Sequence, residues 1–205
     1  IYTLSLHDAL PISIHPRRPP AGHKGRRGTL GRSKKILFEP LEPRLLLSSQ
    51  PLSLAAAAAA DLTLRLVDDL GTPTLELVDN ASESHVLARQ ALVDTSAVDF
   101  AGSDDDDRFV IDDSVPVDLS VTFAGRHGLD KLLGRLADSV WRITGRDAGR
   151  VDSVVFDEVE YLIGGAGADA FIVMAGAGLS GLLDAGAGSD TLVGGDGDNA
   201  WTLSG

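Results

Sequence analysis

The sequence predicts an all-β fold: a glycine-rich parallel β-solenoid or β-roll preceded by a disordered N-terminal leader. Three observations predict it. From about residue 98 the chain repeats itself, its apolar runs are short and β-prone, and turn residues recur every ten residues or so. Setting residues 119–145 on residues 179–205 needs no gap and gives nine identities, among them Gly128/Gly188, Asp130/Asp190, Leu132/Leu192 and Trp141/Trp201, a period of 60 residues. Upstream, Gly102-Ser103 and Asp107-Arg108-Phe109 correspond to Gly164-Gly165 and Asp169-Ala170-Phe171 with a two-residue slip. Units of this kind bury their apolar face against a neighbour. Residues 98–160 read as one degenerate unit, and residues 161–205 as a second, truncated one.

The elements before the repeats differ in kind. Residues 14–35 are rich in Arg, Lys, Pro and Gly, with almost no apolar side chains to build a core. They open a leader that extends to residue 60 and ends in the alanine run Ala55–Ala60. Pro40, Pro43 and Pro51 interrupt its apolar stretches, none of which approaches the ~18 residues of a membrane span. Residues 61–97 alternate apolar and polar positions, Leu62, Leu64 and Leu66, then Leu75 and Leu77 beyond Gly71-Thr72-Pro73, the period of a β-hairpin.

Charge divides the chain in the same place. The net charge is -12; residues 1–50 carry nine basic and three acidic groups, residues 51–205 nine and 27, so the two parts carry +6 and -18. An acidic body repels itself unless cations bind it, and it is a poor partner for nucleic acid. The chain has no cysteine, which excludes disulfides and thiolate metal sites. Residues 14–35 have no Phe, Tyr or Trp interleaved to stack on bases.

Two short resemblances sharpen this. Leu41-Glu42-Pro43-Arg44-Leu45-Leu46-Leu47 resembles the LEPR-XLL motif found near the N-terminus of very long bacterial surface or secreted repeat proteins, which implies an extracellular location. Ile1 to Ile12 resembles a translated sequencing adapter, which implies that residues 1–13 are a sequencing artefact with no part in the fold. Met174 is the only methionine and Gly205 falls inside a repeat, so the natural chain is expected to extend at both ends.

Three segments resemble the repeats-in-toxin (hemolysin-type) nonapeptide, Gly-Gly-x-Gly-x-Asp-x-apolar-x. Residues 164–172 match it fully through Gly164, Gly165, Gly167 and Asp169. Residues 185–193 keep Gly186, Gly188 and Asp190. Residues 194–202 keep Gly194, Gly195 and Gly197, add Asp196 and Asp198, and place Asn199 at the aspartate position. The resemblance implies a calcium ion held between stacked turns. Glycines aim backbone carbonyls inward and aspartates add hard oxygens, and calcium takes six to eight such ligands. In the family the stacked segments are usually two apart in an uninterrupted run. Here the third lies 21 residues before the contiguous pair, so a regular ladder of sites is not expected. The alternative is that the glycine turns only fold the chain, their aspartates capping turns or facing solvent.

The run Asp104–Asp107 is a solvated charge run or a second cation site. Trp141 and Trp201 read as core residues, with sugar stacking the alternative. His85 and His127 stand alone, and no Gly-x-Ser-x-Gly, His-Glu-x-x-His or phosphate-loop pattern occurs, so no enzyme is expected. The expectation is a calcium-binding structural or adhesive repeat segment of a secreted or surface protein, with extracellular glycans or matrix as further partners. A metal-free stalk, or a β-helix of a polysaccharide-active enzyme, is the alternative.

Overall fold

The computed structural model describes residues 49–81, 85–198 and 200, all in the compact unit Leu45–Gly205. The motif at Leu41–Leu47, the basic segment before it, Asn199 and Trp201 lie outside the described residues. The described chain is all-β, with one 3-10 turn (Leu92–Asp94) and no α-helix. In chain order the strands are β1 (Gln50–Ala55), β2 (Asp61–Asp69), β3 (Thr72–Asp79), β4 (His85–Ala91), β5 (Thr95–Ala101), β6 (Arg108–Ile111), β7 (Val121–Ala124) and β8 (Lys131–Leu133). They continue with β9 (Val140–Gly145), β10 (Ala148–Val151), β11 (Val154–Asp157), β12 (Tyr161–Ile163), β13 (Ala170–Val173), β14 (Leu183–Asp184) and β15 (Thr191–Val193).

These strands make two open, mixed sheets. The first has the order β1-β5-β7-β11-β10-β9-β13-β15, the second β14-β12-β8-β6-β2-β3-β4. From β5 onward the chain passes back and forth between them, and most strands land parallel to the one laid down a circuit earlier. Val98 pairs with Val121 and Val121 with Val154 in the first sheet, while Phe109 pairs with Leu132 and Leu132 with Leu162 in the second. The regular advance has one exception, an antiparallel meander β9-β10-β11 that gives the first sheet two extra strands.

Period-two burial explains why these residues form strands. In β9 Trp141 and Ile143 are buried while Arg142 between them is not, and β13 repeats the pattern with Phe171 and Val173. The inward residues stack from strand to strand. Phe100 and Phe123 lie parallel with ring centroids 5.2 Å apart, Phe109 of the opposite sheet tilts against both, and Trp141 stacks on Phe171 at 5.4 Å. A side chain of this size gains ~2 to 3 kcal/mol on burial, so the aromatic column is a substantial part of the apolar core.

The hairpin expected over residues 61–97 is present as β2 and β3 joined at Leu70-Gly71, with β4 adding a third antiparallel strand. Leu62, Leu64, Leu75 and Leu77 face the core. One boundary moves. Residues 50–60, expected in the leader, form β1 and the turn to β2; Leu52 is buried, and β1 pairs in parallel with β5. Strand β1 needs a partner more than 40 residues downstream, so local composition gave no sign of it.

The 60-residue period does not survive. Leu132 lies in the second sheet and its sequence counterpart Leu192 in the first, so the aligned segments occupy different places. Trp141 stands instead beside Phe171, and Phe171 beside Leu192. Short glycine-aspartate turns align with one another wherever they fall, and a spacing that spans several circuits resembles a repeat. Among the described residues no helix is long and apolar enough to cross a membrane.

Candidate functional site

The crossings between the sheets form two edges, and each carries a column of turns; those at Gly102, Gly125 and Gly164 read Gly-x-x-x-x-Asp-x-apolar, while Ser139 replaces the aspartate of one turn and Ala185 the glycine of another. On the edge leading from the first sheet to the second lie Gly102–Asp107 and Gly125–Asp130, followed by the shorter crossing Glu158–Glu160. On the opposite edge lie Gly134–Ser139, Gly164–Asp169 and Ala185–Asp190.

The full nonapeptide match therefore stacks on the segment 21 residues later: the Asp169 N–H donates to Asp190 Oδ1 at 2.9 Å, and the Ala187 N–H to the Gly165 carbonyl at 3.0 Å. The 21-residue offset, which argued against a regular ladder of sites, is one circuit, close to the 23 residues that separate Val98 from Val121 and Phe109 from Leu132. The pair adjacent in sequence is split. Gly194–Asp198 follows β15 out of the first sheet, and a Cβ at Gly195 would lie 2.5 Å from the Ala175 nitrogen, beside the chain leaving β13. Gly194, Gly195, Asp196, Gly197 and Asp198 thus belong to the edge opposite Gly164, Gly165, Gly167, Asp169, Gly186, Gly188 and Asp190.

Glycine is required in this stack by close approach. A Cβ at Gly165 would meet the Arg135 carbonyl oxygen at 1.7 Å, and one at Gly188, where φ is +128°, the Gly167 carbonyl at 2.0 Å. Backbone packs on backbone where other turns would carry side chains.

The aspartates face the chain as well. Asp169 is 1% exposed; its Oδ1 accepts the Ser139 N–H from the turn before it and its Oδ2 the Gly165 N–H of its own turn, both at 2.9 Å. Exposed Asp138 accepts the Ala168 N–H at 2.7 Å. The other edge repeats the device: Asp107 accepts Ala60 N–H and Ser103 N–H, Asp130 accepts the Asp107 N–H at 2.8 Å, and Glu160 accepts the Asp130 N–H at 2.8 Å. Each carboxylate ties its circuit to the preceding one through an amide that the sheet ladder leaves unpaired, a bond strengthened by its charge.

Asp130 departs from the pattern. Arg126, four residues before it, has φ +78°, and its N–H makes no bond to Asp130, unlike that of Ser103 to Asp107 or Gly165 to Asp169. Asp130 Oδ2 is left buried without a hydrogen-bond partner. Burial, the neighbouring Glu160, Asp107 and Asp106 carboxylates, and only one opposing amide bond push this carboxyl up to about 6.

The run Asp104–Asp107 separates into unlike roles. Asp107 is buried, Asp106 accepts the Leu129 N–H, and Asp104 faces His127 at 3.2 Å in solvent. His85 faces Asp79 at 3.8 Å, also at the surface. Trp141 is fully buried against Phe171 and Phe156.

Tested as a calcium site, the stack of residues 164–190 offers hard oxygens of the right kind, but both oxygens of Asp169 already accept amide hydrogens. Among the described residues no three acidic or histidine side chains converge on one point. A cation there would draw its remaining ligands from backbone carbonyls. Asp107, Asp130 and Glu160 were missed as a set by the sequence reading, and the shared Gly-x-x-x-x-Asp-x-apolar spacing at 102, 125 and 164 was the signal that could have found the two aspartates.

Compared with family models, with curated proteins and with solved structures, the chain matches none.

Proposed function

We propose that this chain is a structural segment of a long secreted or cell-surface bacterial protein, a β-solenoid stalk whose circuits are tied together by carboxylate–amide bonds. The observation that supports this reading most directly is the pairing of buried turn carboxylates with amides of the preceding circuit, from Asp107 through Glu160 on one edge and from Ser139 through Asp190 on the other. A stalk of this kind has no chemistry to perform. It spaces and displays what is attached to it, and the location follows from the LEPR-XLL resemblance.

Calcium binding at Gly164–Asp190 is the second reading. It is favoured by the register that sets the two best-matching nonapeptide turns one upon the other in a body of net charge -18. Far-UV circular dichroism and thermal melting of the whole chain in EDTA and in millimolar calcium separate the two. A cooperative β spectrum in EDTA whose melting point calcium leaves unmoved supports the metal-free stalk. A chain unfolded in EDTA that folds on adding calcium overturns it in favour of ion-dependent folding, and a folded chain that calcium stabilises further places an ion on a preformed stack.

A further inference from the structure

The outer face of the first sheet carries an arrangement that the stalk does not need. Arg142 on β9 and Arg150 on β10 are directly opposite each other in the antiparallel register. Both alternate with buried neighbours, Trp141 and Ile143 on one strand, Gly149 and Val151 on the other, so both side chains leave the same face. Like charges placed opposite one another weaken a sheet. They do so here in a body with 27 acidic residues and nine basic ones. Four of the other arginines are paired with carboxylates, Arg65 with Glu76, Arg89 with Asp69, Arg108 with Asp61 and Arg146 with Asp147. Arg142 and Arg150 make no ion pair or side-chain hydrogen bond among the described residues, although Asp157 lies on the diagonal from Arg150 on the neighbouring strand. The row continues with Val155 on one side of the pair and Ile172 on the other. Val155 is 49% exposed.

We propose that Arg142 and Arg150 form an anion-binding site for a carboxylated polysaccharide, a polyuronate. Two guanidinium forks on adjacent strands can grip one planar carboxylate from both sides, and the flanking Val155 and Ile172 offer apolar surface to the C–H faces of sugar rings. One carboxylate per sugar suits the setting. A more densely charged polyanion meets the repulsion of the acidic body, and a nucleic acid finds no aromatic side chain in this row to stack on. The site gives an adhesive role to the proposed stalk and depends on that reading only for its extracellular setting, since no metal enters it.

Binding of the full chain to immobilised polygalacturonate, measured in EDTA so that calcium cannot bridge two acidic polymers, tests the proposal. The Arg142→Ser/Arg150→Ser variant is expected to bind about tenfold or more weakly, the scale of losing charge-assisted hydrogen bonds. Arg142→Lys/Arg150→Lys, which keeps the charge and loses the forks, falls between variant and wild type. Arg17→Ser/Arg18→Ser, an equal charge change in the basic N-terminal segment, is the control and is expected to weaken binding less than about threefold. Absence of binding by the wild type, an equal loss in the two serine variants, or tighter binding of single-stranded DNA overturns the proposal. Circular dichroism of the same samples in EDTA reports on the stalk reading independently: a folded chain that ignores polygalacturonate sinks this inference and leaves that one standing.

Discussion

Replacing Asp130 by Asn should stabilise the protein at neutral pH and leave it little changed in acid. The carboxyl is buried, and its folded value of about 6 stands against 3.8 in an unperturbed chain. A raised folded value means that the folded state holds its proton more tightly. Stability contributed by that proton is fully present below about pH 4 and is lost as the pH rises through 6. The full gap corresponds to about 3 kcal/mol as an upper bound. Asparagine has no anion to bury and keeps one oxygen to accept the Asp107 N–H, although that bond loses its charge assistance, at a cost of about 1 kcal/mol. A net gain of about 1 to 2 kcal/mol at pH 7.5 follows, or about 3 to 6 °C in melting temperature for a body of this size. Urea and thermal unfolding of wild type and Asp130→Asn in EDTA at pH 4.5 and 7.5 measure the difference between variants at each pH, which isolates this group from the other carboxylates. An Asn variant less stable than wild type at pH 7.5, or a difference that does not change with pH, refutes the reasoning.

Three further outcomes are expected. Asp169→Ala removes the acceptor of two amides, Ser139 N–H and Gly165 N–H, and should cost about 2 to 5 kcal/mol in urea unfolding, with Asp169→Asn costing less because one oxygen remains. Gly165→Ala forces a methyl group toward a carbonyl oxygen 1.7 Å away and should cost more than about 3 kcal/mol, whereas Gly71→Ala, at φ +87° with nothing within 4 Å, should cost about 1 kcal/mol by denaturation of the two variants side by side. Phe123→Ala opens a hole beside the Phe100 and Phe109 rings and should lose about 3 to 5 kcal/mol of stability, read as a lower urea midpoint.

Much of the fold was readable because it rests on local rules. Alternation in residues 61–78 specifies a hairpin without reference to the rest of the chain, and the glycine-aspartate turns mark most of the crossings from β5 onward. What stayed hidden depends on pairing at a distance. Strand β1 is defined by β5, and the meander β9-β10-β11 turns back on itself where the sequence resembles one more regular circuit. The candidate site shows the same limit. Residues 164–172 and 185–193 were legible as turns, but which turns share an edge follows from the number of crossings between them, and local sequence does not give that number. The carboxylates were legible as oxygens; that they accept backbone amides is decided by the neighbouring circuit.

The two ends of the sheets are unlike, and this bears on the order in which the chain folds. At one end the meander β2-β3-β4 closes through neighbours in sequence, and the Gln90 side chain donates to the Gln50 carbonyl at the start of β1. At the other, β14 and β15 are the last strands of their sheets, Leu182, Leu192 and Val193 are 41% to 47% exposed, and a cavity of about 590 Å³ opens between Phe171, Leu179 and Leu183. The meander pairs only strands adjacent in sequence, so closing it costs little loop entropy. Each later circuit then closes on one already formed, across separations of 21 to 30 residues. That separation does not grow as circuits are added, so a longer array of the same kind meets no larger entropic barrier per step than a short one.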